Sequence, residues 1–281
     1  MTPSQETVTI TILMDNHAGV DLLGEHGFSA WLDLPGLHVL FDAGQGPAFE
    51  ENARRLGIRL ESADAMVLSH GHYDHSGGMP TFCARSSAAP IYAHPAVTGL
   101  RYSVRNGTAK SIGMPEDAQA ALGNHPARVK WVTGAVSLTP AVGLTGPVPR
   151  HTQYEDTGGP YFTDPKGAYP DPILDDQALW VRTHRGLIVL LGCAHAGLLN
   201  TLRHAQYLTK EPRIHAVIGG FHLKEAGEER ITRTLLDLQE LSPDLVVPCH
   251  CTGDSAMQSL QCAFGSHVVP GCSGASFEFD L

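Results

Sequence analysis

The order of apolar and polar residues divides this chain into alternating strands and helices. Residues 8–13 alternate and are rich in β-branched side chains, which is typical of a strand. Residues 187–191 form an uninterrupted apolar run, which predicts a buried strand. Residues 228–241 carry apolar side chains at helical spacing, which predicts an amphipathic helix. Strands followed by helices recur in both halves, so the pattern predicts an α/β fold of two sheets covered by helices.

The same pattern predicts the remaining elements. Residues 98–128 lack a clean period and predict an irregular insertion, a type of segment that often serves as a lid or substrate loop. Residues 146–176 are rich in Pro and Gly and predict a loop. The predicted strands are 8–13, 28–34, 37–42, 64–69, 90–94, 128–133, 135–139, 141–145, 178–182, 187–191, 214–218 and 244–247. The predicted helices are 48–56, 198–207, 228–241 and 255–264.

The amino-acid composition favours a single globular domain and disfavours a nucleic-acid partner. The 281 residues are 42% hydrophobic and 17% charged, which suits a globular protein with a sizeable core. We find no linker, low-complexity segment or short repeat, and therefore expect a single domain over residues 1–281. The formal net charge of −10 disfavours nucleic acid as a partner, because surfaces that bind phosphate backbones are usually basic.

Neither a membrane span nor secretion is indicated. The first residues lack the basic and apolar regions of a signal peptide, and no apolar run approaches the roughly 20 residues that a membrane helix needs. The six cysteines show no disulfide-scaffold spacing. We therefore expect a cytoplasmic protein. The oligomeric state stays open.

Candidate chemistry is concentrated directly after the strand at 64–69. His70 and His72 are two residues apart, so in extended backbone they point to the same side and can hold one ion. Asp74 and His75 follow where the chain turns and can face a second ion a few ångströms away. Imidazole and carboxylate are ligands of zinc and similar divalent ions. The apolar strand before the motif and the Gly pair after it favour a metal site over a surface histidine cluster.

Three later histidines also follow predicted buried strands. His195 comes a few residues after 187–191 and can complete the first metal site. His250 follows the strand at 244–247 and is the candidate to join Asp74 and His75 at the second site. The role of His222 stays open between three alternatives: a metal ligand, a hydrogen-bond donor to bound substrate, or a structural residue.

The His-x-His-x-Asp-His motif after an apolar strand resembles the signature of the metallo-β-lactamase superfamily. The resemblance implies a four-layer αβ/βα sandwich and one or two divalent ions, zinc first, with manganese or iron as alternatives. Further segments resemble the 7,8-dihydropterin-6-methyl-4-(β-ribofuranosyl)aminobenzene-phosphate synthase-like branch, also described as metal-dependent hydrolases. The segments that carry the resemblance are 27–33, 37–44, 192–197, 219–223 and 248–253.

The sequence departs from that superfamily at one turn. Most members carry a bridging aspartate where this chain has Cys193. This cysteine either bridges as a thiolate or is an inert buried thiol, and we favour the inert thiol. The superfamily's usual third histidine lies earlier in the chain, near His151, but the Gly-Cys-Ala-His run favours His195. The resemblance also places His26 at the pocket floor.

These residues predict a metal-dependent hydrolase of a small molecule, either a phosphate ester or a lactone-like ester. A divalent ion makes hydroxide available at neutral pH, and Asp74 would orient the attacking water or receive its proton. No Gly-x-Ser-x-Gly elbow or nucleotide-binding glycine loop is present.

Two other functions stay open. The branch implies a synthase that condenses a pterin pyrophosphate with an aryl ribosyl phosphate. In that case Arg150, with Arg101 and Arg105 from the insertion, is expected to bind phosphate unless these arginines are simply solvated. A non-catalytic metal-binding or sensor protein is the third possibility, which the complete ligand set disfavours.

Overall fold

The computed structural model describes residues 6–281. The strands are β1 (Thr7–Met14), β2 (Ser29–Leu34), β3 (Leu37–Phe41), β4 (Ala65–Val67), β5 (Ile91–Ala93), β6 (Tyr102–Arg105), β7 (Thr108–Ser111), β8 (Val129–Trp131), β9 (Val136–Thr139), β10 (Val142–Leu144), β11 (Tyr161–Phe162), β12 (Ala178–Thr183), β13 (Gly186–Leu191), β14 (Ile214–Gly220), β15 (Leu245–Cys249) and β16 (Ser276–Asp280). The α-helices are α1 (Ala48–Arg55), α2 (Tyr73–Ser76), α3 (Met79–Arg85), α4 (Glu116–Asn124), α5 (Leu198–Thr209), α6 (Glu228–Leu241) and α7 (Asp254–Phe264). Short 3₁₀ helices lie at Leu60–Ser62, Pro95–Thr98, His250–Thr252 and Gly265–His267.

Two mixed sheets form the centre of the protein. The first has the strand order β16-β1-β2-β3-β4-β5-β8, and the second has the order β15-β14-β13-β12-β10-β9. In each sheet an antiparallel part continues into parallel strands: β3, β4, β5 and β8 in the first, and β13, β14 and β15 in the second. A small third sheet, β11-β6-β7, lies apart from both.

Apolar side chains arrange the sheets and helices in four layers. One buried cluster contains residues of both sheets, including Phe41 and Leu190, and fills the space between them. A second cluster joins the other face of the first sheet to α1, α3 and α4. A third joins the other face of the second sheet to α5, α6 and α7. This order of helices, sheet, sheet and helices confirms the predicted αβ/βα sandwich.

Strand β13 illustrates why its sequence is apolar throughout. Ile188 and Leu190 point into the cluster between the sheets, whereas Leu187, Val189 and Leu191 point to the helices. Successive side chains of a strand face opposite sides, so a strand covered on both faces is apolar at every position. The loops that follow β4, β13, β14 and β15 leave this rigid framework at the carboxyl ends of parallel strands.

The segment 98–128, predicted as an irregular insertion, holds more regular structure than its sequence pattern indicates. The segment contains the β6–β7 hairpin and helix α4. Asn106 and Gly107 have φ of 50° and 75°, the backbone of a tight hairpin turn, and Asn-Gly at this point is the sequence signal for it. Met114 and Ala118 are buried in the core beside the first sheet, so only the hairpin could be removed without opening that core.

Several short elements were also missed. Strand β16 pairs antiparallel with β1 at the edge of the first sheet, and α3 packs against α4. The predicted loop over 146–176 contains the two-residue strand β11. None of the helices in residues 6–281 combines the length and apolar character needed to cross a membrane.

We predict that Leu190→Ala lowers the free energy of unfolding by about 2–5 kcal/mol, because the change leaves a cavity in the core between the sheets. Leu190 is 0% exposed, whereas Leu236 on α6 is 53% exposed. Leu236→Ala is the control and should change stability by less than about 0.5 kcal/mol. Urea unfolding followed by circular dichroism measures both variants. Equal losses would contradict the placement of this core.

Candidate metal centre

The first candidate metal site consists of three histidines. The ligand atoms of His70, His72 and His195 all lie within 4.8 Å of one another, and His70 Nε2 is 3.0 Å from His72 Nδ1. Burial holds the pKa of all three rings well below the usual value, so the rings are neutral, as metal ligation requires. The structure thus places His195, from the β13–α5 turn, beside the two histidines of the 70–75 motif.

Hydrogen bonds orient two of these rings toward their shared centre. The Ser69 hydroxyl donates to Asp42 Oδ2 at 2.6 Å, so the 2.9 Å contact between Ser69 Oγ and His70 Nδ1 requires the ring to donate. His195 Nδ1 donates to the Thr157 carbonyl at 2.8 Å. In both rings the unprotonated nitrogen is therefore Nε2, and that of His195 is buried without a partner. Such an orphaned acceptor among imidazoles fits a divalent ion.

His75 belongs to a group with a sulfur ligand. The ligand atoms of His70, His75 and Cys193 lie within 4.8 Å of one another, and His75 Nε2 is 3.1 Å from Cys193 Sγ. Its Nδ1 donates to Asp42 Oδ2 at 2.7 Å. Burial lowers the pKa of His75, but the Asp42 carboxylate outweighs this effect and raises the pKa to about 9. Without an ion the ring keeps a proton on Nε2, at the position where a metal would bind.

Asp74 lies in a different group from His75. His26 Nε2 is 3.0 Å and His250 Nε2 is 3.3 Å from Asp74 Oδ2. Burial raises the pKa of Asp74, but hydrogen bonds from His250 and His26 outweigh it and hold the pKa well below its usual range. The predicted set of Asp74, His75 and His250 therefore does not meet at one point, because Asp74 turns toward His26.

His250 is held by residues of the β1–β2 segment. Its backbone N–H donates to Asp15 Oδ2 at 2.7 Å, and its Nδ1 lies 2.9 Å from Asn16 Oδ1. The backbone of His250 is left-handed, with φ of 47°. Burial lowers the pKa of the ring to about 4, although Asp74 acts in the opposite direction. A neutral His250 carries one ring proton: with that proton on Nδ1 the ring donates to Asn16 and leaves Nε2 for an ion, and with it on Nε2 the ring donates to Asp74.

His222 reaches the same centre from the end of β14. Its ligand atom lies within 4.8 Å of those of Cys193 and His195, and its Nε2 is 3.1 Å from the Tyr161 hydroxyl. Burial lowers the pKa of His222 to about 3. A Cβ at Gly158 would come within 2.1 Å of His222 Nδ1, so only glycine allows the loop to approach the ring this closely.

These groups open into one cavity of about 520 Å³. The metal groups form its floor, and the β6–β7 hairpin forms one wall through Arg105, Lys110 and Ile112. Lys224 and Tyr161 complete the opening. The hairpin was predicted as part of a lid-like insertion, and its position beside the metal groups is compatible with that role.

Two of the three predicted phosphate ligands lie elsewhere. Arg101 is 3% exposed and its guanidinium is 2.5 Å from Asp175, so a buried ion pair occupies it. Arg150 donates to the carbonyls of His195 and Pro172 and supports the metal loop rather than lining the cavity. Neither arginine lines this cavity, and their role in phosphate binding stays a prediction.

Arg105 does line the cavity, where it is 2.7 Å from Glu225. His151, the alternative third ligand, is exposed and lines a separate surface pocket.

The sequence reasoning also missed Asp42, Asn16 and Cys251. Asp42 is buried and accepts hydrogen bonds from the Ser69 backbone, the Ser69 hydroxyl and His75. The sequence analysis used residues 37–44 only as a segment that carries the family resemblance, although a turn carboxylate after an apolar strand can support a metal ligand. Asn16 and Cys251 had no such signal.

We predict that His195→Ala reduces the amount of metal bound to purified protein by about one ion, because it removes one of three ligands. His151→Ala is the matched control and should leave metal content unchanged, since that side chain lies outside the centre. Elemental analysis after dialysis measures both variants. Loss of metal in His151→Ala alone would reverse the ligand assignment.

Comparison with known proteins agrees with this geometry. The family description "Metallo-beta-lactamase superfamily" matches residues 24–250. The chain is 29% identical over 252 residues to an uncharacterized protein of Methanocaldococcus jannaschii, MJ0448, covering 89% of this chain and 93% of that protein. It is 27% identical over 270 residues to the 7,8-dihydropterin-6-methyl-4-(beta-D-ribofuranosyl)-aminobenzene-5'-phosphate synthase of the same organism, covering 89% and 90%.

A solved structure is similar over the whole fold. The crystal structure of Tm1679, described as a metal-dependent hydrolase of the beta-lactamase superfamily, superimposes with a TM-score of 0.83 and 30% identity over 98% of this chain and 100% of that one. The histidine groups at the strand ends, the four layers and these matches lead to one conclusion: the chain belongs to the metallo-β-lactamase superfamily.

Proposed function

We propose that this protein is a metal-dependent hydrolase that directs activated water at an ester, with a phosphate ester favoured over a lactone-like ester. The observation that carries the proposal is the group of neutral, buried histidines His70, His72 and His195, of which His72 lines an open cavity. A divalent ion held there would lower the pKa of its bound water far below the bulk value, to about 7, and so would supply hydroxide at neutral pH. Zinc suits the histidine ligands best, with manganese or iron as alternatives.

Asp74 is the proposed base that orients the attacking water and receives its proton. The carboxylate is ionised, lines the cavity and is held by His26 and His250. His26 is half exposed and its Nε2 donates to the carboxylate, so the ring orients Asp74 from the edge of the cavity. This gives His26 a supporting role in the reaction rather than direct contact with substrate.

Tyr161 is the proposed hydrogen-bond donor to the oxyanion that forms on the substrate, and His222 positions it by donating from Nε2 to the Tyr161 oxygen. Burial raises the pKa of Tyr161 far above its usual value, so its hydroxyl keeps its proton and can donate. The 3.1 Å contact with neutral His222 holds this hydroxyl at the cavity wall. Oriented donors of this kind stabilise developing negative charge more than mobile water does.

Positive side chains at the cavity opening support an anionic substrate. Arg105, Lys110 and Lys224 line the cavity, and Glu225 offsets only part of their charge. Lys110 Nζ lies 5.1 Å from the Tyr73 ring centre, which is the range of a cation–π contact. The excess of cations at the opening favours a phosphate group over a neutral lactone, although the chain as a whole is acidic.

A synthase is the second candidate. It is supported by the relative named as a dihydropterin ribofuranosyl-aminobenzene phosphate synthase, at 27% identity. The same cations and ions would then bind the phosphate groups of two substrates. Condensation of a pterin pyrophosphate with an aryl ribosyl phosphate, combined with no ester cleavage, would favour the synthase. Activity in neither assay would favour a sensor or metal-binding role.

The proposed substrate is a small molecule, and we propose no nucleic-acid or membrane partner. The cavity volume suits a metabolite-sized ligand. A net charge of −10 opposes binding to a nucleic-acid backbone. We keep the cytoplasm as the proposed location because the cysteine spacing lacks a disulfide scaffold.

We predict that a chelator abolishes hydrolysis of a generic phosphodiester and that added zinc restores it. Activity should rise with pH through about 7, because an ion held by His70, His72 and His195 would make hydroxide available over that range. Asp74 stays ionised over this range, so it should add no second step near neutral pH. A rate that is unaffected by chelation would exclude the metal-dependent mechanism.

We predict that Lys110→Ala raises KM for a phosphate ester roughly 3- to 5-fold and leaves KM for a neutral lactone unchanged. A partly exposed charge pair contributes up to about 1 kcal/mol, which corresponds to this factor. Lys210→Ala is the control, because Lys210 contacts Tyr207 rather than the cavity. Equal KM values for wild type and Lys110→Ala on the phosphate ester would contradict the anion-binding wall.

A further inference from the structure

We propose that Cys193 and Cys251 are thiolate ligands of the second metal ion, together with His250. This inference rests on the proposed metal-dependent function and specifies its second site. The ligand atoms of the three residues lie within 4.8 Å of one another, and the two sulfurs are 3.4 Å apart. Two sulfurs and an imidazole are a common ligand set for zinc, with a fourth position left for water or substrate.

The fold brings the two sulfurs together from distant parts of the chain. Cys193 and Cys251 are 58 residues apart, on the loops that follow β13 and β15. Strand β14 lies between those strands and ends at Gly220. A Cβ at Gly220 would come within 2.6 Å of Cys251 Sγ, so the absence of a side chain there is what lets the sulfurs approach.

Cys193 occupies a position between the two candidate sites. Its sulfur is grouped with His70 and His75, with His195 and His222, and with His250 and Cys251. A merely structural thiol would be expected against apolar side chains, whereas this one is surrounded by metal-binding groups. Both cysteines also line the cavity, so an ion bound to them would face the substrate space.

The thiolate site changes the roles of two predicted ligands. Asp74 was predicted to bind the second ion with His75, but its carboxylate is directed at His26 and His250. With sulfur supplying the negative charge at the second ion, Asp74 remains available as the base. His75 then lies beside Cys193 as a neighbouring ligand, held by Asp42.

The two thiolate ligands also determine which metal ions the second site prefers. Each thiol releases one proton to solvent when the ion binds, so one divalent ion replaces two protons at this site. Thiolates favour zinc and cobalt over magnesium or manganese. The second site is therefore expected to prefer zinc-like ions.

Cobalt titration tests the proposal directly. Wild-type protein loaded with two equivalents of Co²⁺ should show the near-ultraviolet charge-transfer absorption of cobalt thiolates. Cys193→Ser and Cys251→Ser should each lose a large part of it, and the double variant should lose it entirely. Cys249→Ser is the matched control: this thiol is also buried, but it contacts the Val247 carbonyl and does not line the cavity.

Absorption that is absent from cobalt-loaded wild type, or unchanged in Cys251→Ser, overturns the proposal. Circular dichroism checks that each variant folds. If a variant does not fold, cadmium NMR of wild type decides, because two thiolates move a cadmium resonance far downfield and histidine ligands alone do not. An assay of ester hydrolysis on the same wild-type samples separates the two proposals: absorption without hydrolysis contradicts only the function, and chelator-sensitive hydrolysis without absorption contradicts only the thiolate site.

Discussion

The buried carboxylate of Asp42 is the interaction on which the metal centre depends. It receives the Ser69 backbone N–H at 2.7 Å, the Ser69 hydroxyl at 2.6 Å and His75 Nδ1 at 2.7 Å. These bonds fix the start of the 69–75 loop, the protonation of His70 and the direction of His75. Because all three groups are buried, the network is both strong and costly to disrupt. A substitution of Asp42 would therefore disturb His70 and His75, and with them ligands of both candidate sites.

The sandwich provides the rigid frame for this network. Asp42 follows β3, the first histidine motif follows β4, and the later ligands follow β13, β14 and β15. Parallel strands place their carboxyl ends at one edge of a sheet, and the apolar core between the sheets holds the two edges together. Side chains from loops far apart in sequence consequently meet with little freedom to move, which is the preorganisation that metal binding needs.

The loop over 150–159 connects that frame to the cavity wall. The Thr157 carbonyl accepts from His195, Arg150 donates to the His195 carbonyl, and Gly158 packs against His222. On the opposite wall the β6–β7 hairpin presents cations to the same space. The ligand-bearing floor is thus built on buried strands, whereas the surface that would select a substrate is built on a hairpin with half-exposed charges. Substrate choice can therefore vary in this architecture without disturbing the metal groups.

Local sequence was sufficient for the parts of the fold whose periodicity depends on burial. The alternation at 8–13, the apolar run at 187–191 and the helical spacing at 228–241 each reflect which faces are covered, so these elements could be predicted, whereas the four-layer order was implied by the family resemblance. The His-x-His-x-Asp-His motif could also be located, because its ligands lie within a few residues of one another. The hairpin at 102–111 was missed although its Asn-Gly turn is a local signal.

Tertiary structure alone decided how the ligands combine. Asp74 contacts His26 rather than His75, and Cys193 contacts Cys251, because of the directions that separate loops take. Such loops are up to 235 residues apart in the sequence, as the hydrogen bond between Asp15 and His250 shows. The buried pairing of Arg101 with Asp175 likewise has no local signal, because an arginine in a loop has the same pattern whether it binds substrate or an acid 74 residues away. The periodicity of apolar residues reflects which faces of a strand or helix are buried. The contacts between the metal ligands depend instead on where the strands end in the folded protein.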